Sequence, residues 1–224
     1  MALLTMQHEV GDSAMPRQFR AGRVIGMAMT GVAQTASAVA RVSFVAGAEG
    51  EWRVKSVRAT VGEPLPMAAA LARVEGPAFV EPSPESAPAW LLRGVRSNER
   101  YIERAEKTQL GAVQEGLGRP SSRLAALIPL RKTAAWWDLP QDERRAIFEA
   151  KSRHIAIGSR FLPAIARRLY HSRDLGEPFD FLTWFEFAAG DASAFDELVG
   201  RLRDTEEWRY IDHEVEVRLE AAGG

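Results

Sequence analysis

Apolar and polar positions alternate with a period of two in several short stretches and recur at about 3.6 in others, so both strands and helices are predicted. Val42 to Val57 reads as two strands around the turn Gly47-Ala48-Glu49-Gly50, with Trp52 and Val54 alternating against charged neighbours. Leu65 to Val74, after Pro64, reads as a short helix, and Glu75 to Pro88, rich in Pro, Ser and Glu, as a loop. Trp90 to Val95 is a predicted strand. Glu99 to Gly116 is a predicted helix with Glu103 and Lys107 at i,i+4, stopped by Gly116 and Gly118-Arg119-Pro120. Leu124 to Pro129 has the continuous apolar character of a buried strand. Pro140 suits a first helical residue, and that helix runs to about Ile157. Ile165, Arg167, Leu169 and His171 share one side of a strand, and Phe179, Phe181, Thr183, Phe185 and Phe187 share one face of the next. Asp191 or Ser193 caps a helix whose Phe195, Leu198, Val199 and Leu202 are helically spaced, and Trp208 to Leu219 closes the chain as a strand.

Strands and helices are interleaved, and few connections are long enough for parallel crossovers. That predicts an α+β fold with antiparallel sheet and helices packed on one face. The order strand, helix, strand, strand, helix, strand fits a ferredoxin-like unit, and two such units fit the length.

Composition narrows the chemistry. The chain has 224 residues, a net charge of −1 and no cysteine. A near-neutral balance gives no reason to expect nucleic acid as the main partner. Without cysteine there are no disulfides, thiolate zinc sites, iron–sulfur clusters or catalytic thiols. A metal would be held by His, Asp, Glu or a macrocycle, and the only histidines are His8, His154, His171 and His213. Residues 1–40 read as an extension. From Met15, Arg17, Arg20 and Arg23 precede a moderately apolar run ending Ala-Ser-Ala-Val-Ala, the outline of a secretory signal; an unstructured extension or added strand is the other reading. A signal would place the protein in the bacterial periplasm, its absence in the cytoplasm. No stretch is apolar enough to span a bilayer.

Two residues stand out because each is costly to bury without a partner. His154, on the predicted helix, has Ala150 and Gly158 one turn to either side, leaving space in which something flat and apolar could lie over the imidazole. It reads either as a metal ligand or as a core histidine bonded to a carbonyl. As a ligand it would want an acceptor for its other ring N–H, and Glu206 and Glu207 are candidates. Arg167 sits in an apolar strand and would suit an oxyanion. The alternative is an exposed edge arginine, a reading that fits at least one of Arg167 and Arg168 since adjacent residues face opposite ways. Lys132, Tyr101 and Trp136 are donors suited to carboxylates, and Gln114 reads as a helix residue; singly, each is also an ordinary core or surface residue.

Several stretches together resemble one family. They are Leu91-Leu92-Arg93-Gly94-Val95-Arg96-Ser97-Asn98-Glu99-Arg100-Tyr101, Leu117-Gly118-Arg119-Pro120, and Ala126 through the Trp136-Trp137 pair. Ser152-Arg153-His154-Ile155, Arg167-Arg168-Leu169-Tyr170-His171-Ser172 and Phe179-Asp180-Phe181-Leu182-Thr183-Trp184-Phe185-Glu186 extend the match across roughly Val42 to Leu219. The combination resembles the chlorite dismutase family. The resemblance implies non-covalent haem b and two ferredoxin-like subdomains forming a barrel-like sheet with helices outside. The first, reduced subdomain would be 41–95 and the haem-binding one 96–224. It implies His154 as the iron ligand, Glu207 as acceptor of its ring N–H, and Arg167 as a flexible arginine on the opposite side, held by Gln114. Tyr101, Lys132 and Trp136 would surround the propionates, and Thr183 and Phe185 would form the wall beside Arg167. The implied reaction is decomposition of chlorite to chloride and dioxygen, in a short, dimeric member. A haem carrier or sensor, a peroxidase-like haem protein and a cofactor-free interaction protein are the competing readings.

Overall fold

The computed structural model describes residues 40–83, 87–96 and 116–223. Eight strands form the framework: β1 (Arg41–Gly47), β2 (Trp52–Val61), β3 (Ala70–Gly76), β4 (Trp90–Arg96), β5 (Leu124–Lys132), β6 (Ala166–His171), β7 (Phe181–Phe187) and β8 (Ile211–Ala221). They close into a barrel in the order β1-β3-β2-β8-β5-β7-β6-β4. Every pairing is antiparallel. Closure removes the sheet edges that a two-sided open sheet would expose. Among the described residues the α-helices are α1 (Ala134–Asp138), α2 (Gln141–Arg145), α3 (His154–Ser159) and α4 (Ala192–Arg203).

Two apolar cores follow from the period-two alternation of the strands. One fills the barrel with Phe44, Trp52, Leu71, Leu92, Tyr170, Leu182, Trp184, Val215, Val217 and Leu219. Trp184 lies against both Phe44 and Trp52, with ring centroids 5.6 and 5.4 Å away. The other lies outside, where Phe195, Leu198, Val199 and Leu202 of α4 cover Ala126, Ile128, Ile165, Phe185 and Phe187. The helical spacing of those four residues is therefore the stripe that α4 buries.

Several expectations change. The alanine-rich 65–74 stretch is not helical: it runs extended into β3, whose residues pair along the whole of β1 from Gly47↔Ala70 to Arg41↔Gly76. Tertiary pairing outweighs alanine's helix preference there. The helix expected from Pro140 to Ile157 is broken. Pro140 caps α2, a π-helical segment covers Ala146–Lys151, and Arg153 takes a left-handed φ of 53° before α3 begins. The phenylalanine stripe also divides, for Phe179 precedes β7 and joins the barrel core, while Phe185 and Phe187 pack under α4. The closing strand starts at Ile211, after a 3₁₀ turn over Glu206–Tyr210. The Glu99–Gly116 helix, Tyr101, Gln114 and the signal-like segment lie outside the described residues.

Candidate functional site

The helix break creates the first part of the site. The wider π turn and left-handed Arg153 restart the chain, so His154 is the first residue of α3. Arg153 offers no side-chain cap; the Ile155 amide instead donates to Glu149 Oε2 at 3.0 Å. That satisfies one of the amide groups every helix start leaves open. The restart also changes the neighbours of the imidazole. His154 stacks on Phe148, with ring centroids 4.5 Å apart and planes 23° from parallel.

Glu207, brought in by the 3₁₀ turn before β8, meets the imidazole from behind. Its Oε2 lies 2.8 Å from His154 Nδ1, and its Oε1 accepts from Lys132 Nζ at 2.6 Å. Its own amide donates to Ser152 Oγ at 2.9 Å. Glu206 instead pairs with Lys151 at 3.0 Å on the surface, so the structure puts Glu207 beside the histidine. Burial pushes the Glu207 carboxyl up, but the charge and hydrogen bond of His154 and the Lys132 ammonium overcome it and hold it down at about 2. Burial likewise pulls the Lys132 ammonium below its ordinary value, against the attraction of Glu207. The carboxylate is thus ionised and committed to two donors. Donation of Nδ1–H to this carboxylate would leave Nε2 open to a ligand.

That ring faces a small cleft of about 60 Å³. Ile128, Leu130, Phe185, Val199 and Leu202 make most of it apolar; Thr183, Arg167, Arg203, Glu214 and Trp208 supply the polar atoms. The Arg203–Glu214 pair is internally matched, with Nη2 to Oε1 at 2.6 Å, and Trp208 Nε1 donates to the other Glu214 oxygen at 2.7 Å. Arg167 enters from β6 opposite Phe185 of β7. Burial pulls its guanidinium below the ordinary arginine value. The high intrinsic basicity of a guanidinium keeps it a cation at working pH.

The cleft therefore brings together His154, Arg167, Thr183 and Phe185, four of the residues singled out in the sequence. Lys132 and Trp136 lie off its wall, behind Glu207: the ammonium is 4.2 Å from the Trp136 ring centroid. Arg168 is not a free edge residue. It faces the other way and pairs with Glu75 at 3.2 Å, because a closed barrel has no solvent-facing edge at β6. Sequence reasoning missed Phe148, Ser152 and Asp180. Asp180 accepts the Lys132 amide at 2.7 Å and Trp137 Nε1 at 3.2 Å. A carboxylate between Phe179 and Phe181 was the available signal, since burial there demands donors.

Among the described residues no three His, Asp or Glu side chains converge as a metal cluster, and no helix is long and apolar enough to cross a membrane. Fold and site thus define an α+β barrel protein with one imidazole, backed by a buried carboxylate and lysine, facing an apolar cleft that also holds an arginine.

The chlorite dismutase family profile matches residues 65–219, and the chain belongs to that family. It is 56% identical to a dimeric chlorite dismutase from Nitrobacter winogradskyi of known structure, over 81% of this chain and 99% of that one, with a TM-score of 0.74. A chlorite dismutase from Ideonella dechloratans is 32% identical over 124 residues, which are 53% of this chain; the match spans only 40% of that protein's length. A cyanide complex of a chlorite dismutase variant from Candidatus Nitrospira defluvii shares the fold at 19% identity, with a TM-score of 0.60 over 83% of this chain.

Proposed function

We propose that this chain is a haem b oxidoreductase that converts chlorite to chloride and dioxygen, working as a homodimer. The observation that carries the reading is the pairing, across one apolar cleft, of the Glu207-bonded imidazole and a half-buried arginine. The family match and the likeness to the dimeric Nitrobacter winogradskyi protein support it. The residues fit a macrocycle. A single histidine ligand suffices only for a metal that brings most of its other ligands, and the cleft walls are largely apolar.

Bound haem would supply the redox-active iron at which chlorite gives up oxygen and the two oxygen atoms join. His154 Nε2 would hold the iron. Glu207 would keep the imidazole in the Nδ1–H tautomer and raise its donor strength, with Lys132 and Ser152 fixing the carboxylate. Arg167 would offset the charge of chlorite and hold the chlorine oxyanion formed on oxygen transfer until the two fragments recombine. A cleft poor in water strengthens that attraction. The balance is ClO₂⁻ to Cl⁻ and O₂, so no external electron or proton is needed. Thr183 and Phe185 would shape the wall next to Arg167. The resemblance assigns Tyr101, Lys132 and Trp136 to the propionate side and Gln114 to holding Arg167, but the Lys132 ammonium is committed to Glu207 and fits that role instead.

The two ferredoxin-like subdomains, 41–95 and 96–224, belong to the same proposal. Around the barrel β4-β1-β3-β2 form one contiguous block and β8-β5-β7-β6 the other, and the strand order is the same in each block when counted from its own first strand. That repeat supports the division. The cleft lies on the second block. Residues 1–40 would precede them as an extension or signal-like segment.

The test is an oxygen-electrode trace with chlorite, using protein loaded with haem. Oxygen should appear steadily at one O₂ per chlorite consumed. Arg167→Ala should keep its haem but release hypochlorite to a scavenger and lose activity sooner. Full haem loading without oxygen release would refute the activity.

A further inference from the structure

The run Leu117-Gly118-Arg119-Pro120 leads into β5, and none of its residues lines the cleft. Leu117 packs against the barrel core, and the Gly118 amide donates to the buried Glu186 carboxylate at 2.5 Å. Gly118 has a φ of 83°, a conformation that favours glycine. Arg119, next to it, directs its planar fork of donors at backbone carbonyls. Nη1 donates to Pro163 O at 3.0 Å and Nη2 to Ala164 O at 2.8 Å, with Glu186 O 3.4 Å from the same nitrogen. Pro163 and Ala164 belong to the short connection from α3, which begins at His154, to β6, which carries Arg167. Glu186 lies opposite Ala166 in the terminal pair of β6 and β7, one place from Arg167 opposite Phe185. The guanidinium therefore stands as a further rung beyond the end of that ladder and ties the lead-in of β6 to β7.

We infer that Arg119 is a positioning residue for Arg167: by clasping the Pro163 and Ala164 carbonyls it fixes where β6 begins against β7, and so where the Arg167 side chain enters the cleft. The inference rests on the proposed role of Arg167 in holding a small anion. Arg167 is three residues beyond Ala164, so movement of the connection passes directly to it. The clasp lies at the end of the strand pair and not in the cleft, so a cofactor seated over His154 leaves its contacts as they are. The six pairs from Ala166↔Glu186 to His171↔Phe181 keep β6 in register without Arg119. Loss of the clasp thus loosens the Arg167 end of the strand and leaves the fold intact. Lysine at 119 would keep the charge but replace the fork by a single point of donors, which holds one carbonyl well and not both.

Arg119→Ala, Arg167→Ala and the combined variant, measured beside the parent, form a double-mutant cycle that tests it. The first readout is the dissociation constant of cyanide, a small anionic probe, from the haem-loaded proteins. Arg119→Ala should weaken binding several-fold with Arg167 present and change nothing in the Arg167→Ala background. Arg119→Lys should fall between the parent and Arg119→Ala, and it carries the same cycle if Arg119→Ala does not fold. An unchanged constant would overturn the assignment. So would an equal shift in both backgrounds, because a general loosening of the fold acts without Arg167. The second readout is hydrogen–deuterium exchange, which needs no cofactor. Without the clasp the first amides of β6 should exchange several-fold faster while those of the β5–β8 pair keep their rates; unchanged β6 exchange would overturn the clasp. Neither readout uses chlorite turnover. A protein that shows the coupling but evolves no oxygen would refute the proposed activity and support the clasp.

Discussion

The two faces of the β6–β7 pair place comparable groups in contrasting surroundings. On the barrel side, Arg168 and the Tyr170 hydroxyl both reach Glu75. Arg73 joins the cluster 2.7 Å from Glu75, and Trp184 Nε1 donates to Glu186 at 2.8 Å. Burial pushes the Tyr170 hydroxyl up to about 12, and its hydrogen bond to Glu75 adds to the shift. On the helix side, Arg167, Thr183 and Phe185 instead line a cleft shared with His154. Cations facing carboxylates hold the barrel together; a cation extended into an apolar cleft beside an imidazole is placed to meet a ligand. Two consecutive arginines thus have separate work, divided by nothing more than strand alternation.

Changes on the cleft side should act on the cofactor, and changes on the barrel side on stability. The largest effect is expected at His154. Replacement by alanine should abolish the five-coordinate ferric imidazole absorption signature, and a spectrum identical to the parent's would remove His154 as the ligand. Next comes Glu75→Gln on the barrel side. Because the cluster is partly open to solvent, its loss should cost about 1 kcal/mol, read as a lower Tm, with chlorite turnover per bound haem retained. Burial raises the Glu75 carboxyl, but Tyr170, Arg73 and Arg168 together bring it below its ordinary 4.5. The folded chain thus holds that proton less tightly than the unfolded one. The stabilisation is present above the ordinary value and is lost as pH falls through the lowered one. Glu75→Gln should consequently flatten the acid limb of a Tm-versus-pH curve; an unaltered limb would show that the cluster does not carry this dependence. The smallest effect is expected from Glu206→Gln. Its partner Lys151 is exposed, so stability should change by less than about 0.5 kcal/mol, and the haem spectrum should not move. A spectral change there would mean that the two neighbouring glutamates share the role given to Glu207.

Much of the framework is legible in local patterning. Strands β1, β2, β4, β5 and β7 and the buried stripe of α4 appear where alternation or helical spacing puts them. Misreadings arise where local preference and tertiary pairing disagree. The alanine-rich 65–74 stretch has the composition of a helix and the neighbours of a strand. The 140–157 stretch has continuous helical spacing, but the chain restarts at Arg153. That restart puts His154 on Phe148 rather than beside Ala150, a change no periodicity could report.

The sequence by itself determined the classes of chemistry open to this protein and singled out its participants. It has no thiols, a scarce set of histidines, one of them in an apolar helical stretch, and an arginine pair in an apolar strand. These are properties of residue type and spacing, which a linear chain displays in full. Residue type and spacing left open which of two adjacent glutamates meets the imidazole and which of two adjacent arginines enters the cleft; the resemblance pointed to Glu207 and Arg167, and only the tertiary structure brings both to one site. Each depends on contacts between elements far apart in the chain, where a shift of one residue turns a side chain to the opposite face.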